Sequence, residues 1–84
     1  MITLTANELA VLKVLRVSSA GNGDDFGYIE DARKVLPNPA SLGGVIGSLS
    51  KKGLFDLYES VTYSSGTWTQ FVFRDIDLVE DLVK

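Results

Sequence analysis

The feature that most constrains the fold is Leu36-Pro37-Asn38-Pro39, where one helix must end and the next begin almost at once. A proline disfavours helical geometry in the residue before it, so the preceding helix should end at Leu36. Asn38 is a favoured N-cap, and Pro39 suits the first helical position because the amide there lacks a helical partner in any case. The sequence therefore predicts two helices joined by a very tight turn.

The helix after this turn is bounded at both ends. Gly53 stands where a left-handed C-cap residue is expected, and Lys51 and Lys52 precede it near the negative end of the helix. These signals predict a helix over about 39–52. Apolar residues at helical spacing form its core face: Leu42, Val45 or Ile46, and Leu49.

Two helices are predicted before the turn. Thr5 and Glu8 have the spacing of a capping box, which predicts a first helix from Ala6 to about Val17. Its apolar face comprises Leu9, Val11, Leu12 and Leu15. A loop over 18–23 follows, and a second helix should begin near Phe26, capped by Asp24 or Asp25. Its buried stripe comprises Tyr28, Ala32, and Val35 or Leu36.

After Gly53 the apolar period changes from helical to alternating, which predicts a β-hairpin closed near Ser64-Ser65-Gly66. An isolated hairpin is barely stable in water, so one face should complete the core. We assign Phe55, Leu57, Phe71 and Phe73 to that face, with Val61 and Tyr63 continuing the alternation. Asp77 and Glu80 predict a cap for a short final helix, Leu78 to Val83.

Composition limits the possible functions. The 84 residues fit a single domain over 1–84, and 45% hydrophobic content is too high for a disordered segment. No apolar run approaches the length of a membrane span and no signal peptide is evident, so we expect a cytoplasmic protein. The chain contains neither cysteine nor histidine, and no catalytic motif is recognisable. We therefore expect no enzyme, no cofactor, no metal and no small-molecule substrate.

Charge is distributed unevenly along the chain. No acidic residue lies between Asp31 and Asp56, an interval that contains Arg33, Lys34, Lys51 and Lys52. All eleven acids lie outside it, and the formal net charge is −3. Because local sign matters more than the total when a partner is selected, this interval favours an anionic partner.

The segment Ser41-Leu42-Gly43-Gly44-Val45-Ile46-Gly47-Ser48-Leu49-Ser50-Lys51-Lys52-Gly53-Leu54 resembles the recognition helix of small bacterial and phage transcriptional regulators, including MarR-like ones. The resemblance to the winged helix-turn-helix superfamily runs from about Leu4 to Ile76. It implies an α+β fold with a three-helix core and a hairpin wing, and a helix that docks in the major groove of double-stranded DNA. The DNA-binding residues it implies are Arg33, Lys34, Asn38, Ala40, Ser41, Gly44, Ser48, Lys51 and Lys52.

Plainer interpretations stand beside this one. Lys51 and Lys52 could simply complement the helix dipole, and Arg33 and Lys34 could form a solvated face. Three glycines in a helix are each unfavourable by on the order of 1 kcal/mol relative to alanine. Close approach to a phosphate backbone or a partner helix would offset that loss, as would tight packing of the glycine helix across an earlier one, which we favour.

The hairpin tip lacks lysine and arginine, which argues against insertion of the wing into DNA. Tyr63 and Trp68 instead form a candidate protein interface, with Trp68 either an exposed anchor or a cover for the hairpin beside Tyr58 or Val72. The leading hypothesis is a small transcriptional regulator that binds double-stranded DNA, either at specific sequences or as an architectural protein, and acts as a homodimer or with a protein partner. The alternative is a winged-helix protein-interaction module that does not bind DNA.

Overall fold

A computed structural model describes residues 2–21, 23, 26–64 and 66–84, with the backbone alone at 59, 61 and 63. The chain has an α+β fold. Its elements are, in order, α1 (Ala6–Ala20), β1 (Gly27–Tyr28), a 3-10 helix (Ile29–Val35), a 3-10 turn (Pro39–Ser41), α2 (Leu42–Lys51), β2 (Phe55–Tyr63), β3 (Gly66–Phe73) and α3 (Ile76–Leu82). Across the described ranges, no helix has the length and apolarity needed to cross a membrane.

The N-terminus of α1 is held by the predicted capping box. The Thr5 hydroxyl accepts from the Glu8 amide at 3.1 Å, and Glu8 Oε1 accepts from the Thr5 amide at 2.8 Å. The helix runs to Ala20, three residues beyond the predicted end. Its last turn is anchored from outside, since Ser18 Oγ donates to Asp31 Oδ2 at 2.8 Å and accepts from the Tyr28 amide at 3.3 Å.

The predicted second helix is wrong at its start and in its type. Gly27 and Tyr28 form a short strand that pairs antiparallel with β3, opposite Phe71 and Gln70. A side chain at Gly27 would collide there, because an added Cβ would lie 2.8 Å from the Phe71 ring and from Ser18 Oγ. A 3-10 helix then ends before Pro37, as predicted, and its buried residues are Ile29 and Ala32, followed by Leu36. The proposed caps Asp24 and Asp25 lie outside the described residues.

The turn between the second and third helical segments is confirmed. Asn38 Oδ1 accepts from the Ala40 amide at 3.1 Å, with Pro39 in the first helical position. The first residues adopt 3-10 geometry, and α2 itself begins at Leu42. Leu42, Ile46 and Leu49 are buried, and Gly53 ends the segment with φ 75°. In this region the sequence prediction was accurate to within three residues.

The predicted hairpin is confirmed, and β1 extends it to a sheet of order β1-β3-β2. Phe55 pairs with Phe73 and Leu57 with Phe71, but an irregularity after Leu57 shifts the register so that Ser60 pairs with Thr69. The side chains of Val61 and Tyr63, which were predicted to continue the alternation, lie outside the described part of the chain. Leu57 is 45% exposed rather than buried, because it lies at the margin of the core, on an open groove beside α2.

One apolar cluster joins the helices to the sheet. At its centre Phe55 and Phe71 are fully buried with ring centroids 5.7 Å apart, and Phe73 lies 5.0 Å from Phe71. The final helix begins at Ile76 rather than Leu78, because Asp75 Oδ1 accepts from the amides of Asp77 and Leu78 and displaces the predicted cap. Its Val79 closes the core.

Candidate nucleic-acid interface

The outward face of α2 is almost free of side chains. Opposite the buried residues of this helix lie four exposed positions, Gly43, Gly44, Gly47 and Lys51, and the exposed Ala40 precedes them in the 3-10 turn. A Cβ added at any of the three glycines would meet no described atom within 4 Å. The expectation that these glycines permit tight packing against another helix is therefore wrong. They leave the backbone of α2 open to an approaching partner.

Ser48 and Lys52, two of the predicted DNA-binding residues, are engaged within the protein. Glu8 Oε2 accepts from Ser48 Oγ at 2.7 Å and from Lys52 Nζ at 2.6 Å. The Glu8 side chain is only 4% exposed, whereas that of Lys52 is 29% exposed. Hydrogen bonds from Lys52 and Ser48, with that from the Thr5 amide, lower the pKa of Glu8 from 4.5 to about 2. Both groups thus hold α2 against the start of α1.

Asn38 and Ser41 also have local partners. Asn38 Oδ1 is occupied by the Ala40 amide, and Ser41 Oγ donates to the Asn38 carbonyl oxygen at 2.7 Å. Both side chains remain on the surface, Asn38 exposed and Ser41 half-buried, at the N-terminal end of α2. The polar atoms that the family resemblance assigned to DNA contacts are therefore used to form the turn before α2.

The cations fall into two groups. Four make ion pairs: Lys52 pairs with Glu8, and Arg16, Arg74 and Lys84, which lie outside the acid-free interval, pair with Glu80, Asp56 and Asp81. The ion pair with Asp56 raises the pKa of Arg74 and lowers that of Asp56. Among the described residues, the cations that make no ion pair are all exposed: Lys13, Arg33, Lys34 and Lys51. Three of these four belong to the interval around α2.

A groove of about 530 Å³ separates α2 from the sheet. Gly43 and Gly47 form part of one wall, Leu57 and Thr69 line it on the sheet side, and Arg33 contributes a cation. Glu30 also lines the groove, where Oε1 accepts from the Thr69 amide just beyond the last pair of β1 and β3. The groove is otherwise mainly apolar, which suits a protein segment better than a phosphate chain.

Trp68, proposed for a protein interface, is half-buried. Its ring packs edge-on against Tyr28 at 6.0 Å, and Tyr28 packs in the same way against Phe26 at 5.9 Å. Tyr28 therefore covers Trp68, a contact that the sequence pattern missed because β1 was expected to be helical. The side chain of Tyr63, the other proposed interface residue, lies outside the described part of the chain.

Sequence reasoning found only one role of Glu8 and did not single out Glu30, whose side chain accepts from the Thr69 amide. Glu8 was recognised as a helix cap but not as the partner of Lys52, and no local signal marks that contact.

Within the described residues, no group of three acidic side chains is placed to hold a metal ion. No protein-family model, curated protein or solved structure matches this chain. The winged-helix assignment accordingly remains a prediction.

Proposed function

We propose that this chain binds double-stranded DNA through α2 and the 3-10 helix Ile29–Val35, as a small regulator of transcription. The supporting observation is the distribution of unpaired cations. Arg33, Lys34 and Lys51 are exposed without a carboxylate partner among the described residues, whereas cations outside the interval are mostly neutralised. Exposed cations attract phosphates from solution, while those already paired contribute little.

The order of elements adds support. A helix that follows a tight turn lies beside an antiparallel hairpin, and its outward face carries no acidic residue. This arrangement is compatible with a winged helix, in which that helix enters the major groove.

The test is the salt dependence of binding to a mixed-sequence duplex, measured by fluorescence anisotropy. Lys51→Glu should weaken binding, and the slope of log K against log salt should fall by about 0.9 for each lost phosphate contact. Lys13→Glu is the matched control, because Lys13 is an exposed, unpaired cation on α1. Equal effects of the two variants would remove α2 from the interface.

Lys52 is unsuitable for this test, although the sequence placed it beside Lys51. A glutamate at this position would face the buried carboxylate of Glu8 and disturb the fold. A weaker affinity of such a variant would therefore not identify a DNA contact.

The apolar groove favours a second candidate, a protein-interaction module. An exposed Leu57 opposite the glycines of α2 provides a surface on which an apolar segment could pack. Amide shifts in an NMR titration with duplex DNA distinguish the candidates. Changes that cluster on 38–52 and around Arg33 and Lys34 support DNA binding, whereas their complete absence at low salt supports the module.

A further inference from the structure

We propose that α2 contacts duplex DNA without reading its bases, so that duplexes of different sequence are bound with similar affinity. This inference rests on the proposed function and concerns what the same surface recognises. It follows from how the polar atoms around α2 are used. The strongest base discrimination comes from side chains that make two hydrogen bonds to one base edge, such as arginine on guanine or asparagine on adenine.

Asn38 is the one asparagine near the helix N-terminus, and its side chain is already fixed to the protein's own backbone. Recognition of adenine requires its oxygen and its amide nitrogen together. The oxygen already accepts from the Ala40 amide at 3.1 Å, and this bond caps the turn before α2. The two serines among the predicted DNA-binding residues also have partners, since Ser41 donates to the Asn38 carbonyl and Ser48 donates to Glu8.

The glycines on the rest of the exposed face have no side chain that could reach a base edge. Between Ala40 and Lys51 its outward positions are Gly43, Gly44 and Gly47. Lys51 stands at the C-terminal end of the helix, and Arg33 stands across the groove on the 3-10 helix. The two cations therefore flank the glycine face, where they can contact phosphates on either side of it. This combination gives affinity without base discrimination.

The experiment compares the dissociation constants of duplexes of one length that are A·T-rich, G·C-rich or mixed, at low and at moderate salt. We expect agreement within about threefold and equal salt slopes, because phosphate contacts do not depend on sequence. A preference of about tenfold or more for one duplex would overturn the inference, since one good bidentate contact gives that discrimination. DNA binding itself would then still stand. Failure to bind any duplex at low salt would overturn both proposals.

Two variants test the geometry. Gly44→Leu places a side chain on the outward face, where no described atom lies within 4 Å of the new Cβ, and leucine favours helix more than glycine does. Affinity should fall about tenfold for every duplex, because the leucine keeps the α2 backbone away from the duplex, while the circular dichroism spectrum is unchanged. Ala20→Leu, at an exposed position of α1, is the control and should change no affinity. An unaffected Gly44→Leu variant, or an equal loss in the control, would overturn close approach by α2.

Arg33→Lys separates phosphate contact from base contact at the groove. Lysine replaces arginine adequately as a point charge on phosphate but not as a two-pronged donor to guanine. We expect the variant to keep its affinity within about threefold on all three duplexes. A loss confined to the G·C-rich duplex would show that Arg33 reads bases and would overturn the inference.

Discussion

At the scale of single residues, Glu8 has the largest structural role. Oε1 completes the cap of α1, and Oε2 accepts from Ser48 and Lys52, which lie on and immediately after α2. A carboxylate with this many donors is stable when buried because its charge is compensated on both oxygens. One side chain thereby fixes where the glycine helix lies relative to α1.

Glu8→Gln should lower the free energy of unfolding by about 2 kcal/mol, because it removes the charge that compensates Lys52 and places an amide donor beside two others. Urea denaturation measures the change. Glu80→Gln is the control: its ion pair with Arg16 is half-exposed, so a change of about 0.5 kcal/mol or less is expected. Equal effects of the two substitutions would contradict the role assigned to Glu8.

The same carboxylate makes stability depend on pH. The pKa of Glu8 is about 2 in the folded chain against an ordinary 4.5, so the ionised group stabilises the fold fully above about pH 4.5. This contribution is lost as the pH falls from 4.5 towards 2. The difference in unfolding free energy between the natural chain and Glu8→Gln should therefore shrink over that range. A difference that stays constant down to pH 2 would show that the hydrogen-bond partners of Glu8 do not lower its pKa.

At the scale of elements, two glycines illustrate opposite demands of the backbone. Gly47 lies within α2 with open space around it, and in the unbound protein a glycine there weakens the helix. Gly53 adopts φ 75° after the helix, a conformation that side chains rarely tolerate. Gly53 thus allows the helix to end in a left-handed conformation, whereas Gly47 makes the helix interior less stable than alanine would.

Gly47→Ala should stabilise the chain by about 0.5–1 kcal/mol, because alanine has the higher helix propensity and meets no neighbour. Gly53→Ala should destabilise it by about 1–2 kcal/mol, because the left-handed conformation becomes strained. Thermal unfolding followed by circular dichroism compares the pair. Stabilisation by both alanines would mean that the positive φ at Gly53 is not required.

At the scale of the whole molecule, one apolar cluster connects every layer. The fully buried Phe71 belongs to the sheet, pairs with Gly27 of β1 and packs among the side chains that α1 and α2 supply. No layer has a second core of its own within the described residues. Helices and sheet should therefore unfold together.

Unfolding monitored by far-ultraviolet circular dichroism, which reports the helices, should coincide with unfolding monitored by Trp68 fluorescence, which reports the sheet. Phe71→Leu should move both midpoints by the same amount, through a loss of about 1–2 kcal/mol of packing. Midpoints that separate in either protein would show that the sheet and helices are independent units.

The sequence by itself determined the features that depend on bonds between near neighbours. The capping box at Thr5 and Glu8, the turn at Asn38 and Pro39, and the left-handed Gly53 were all predicted where they occur. Each is stabilised by hydrogen bonds or backbone preferences that span a few residues, so the local pattern contains the whole cause.

Only the tertiary structure decided the rest. Gly27 enters a strand because β3 approaches it, and Leu57 stays exposed because the core ends beside it. Ser48 and Lys52, both predicted to bind DNA, are bonded to Glu8, which lies 40 and 44 residues earlier in the chain. A lysine near a helix end has the same local pattern whether it faces solvent or a buried carboxylate, because that carboxylate arrives only when the chain folds.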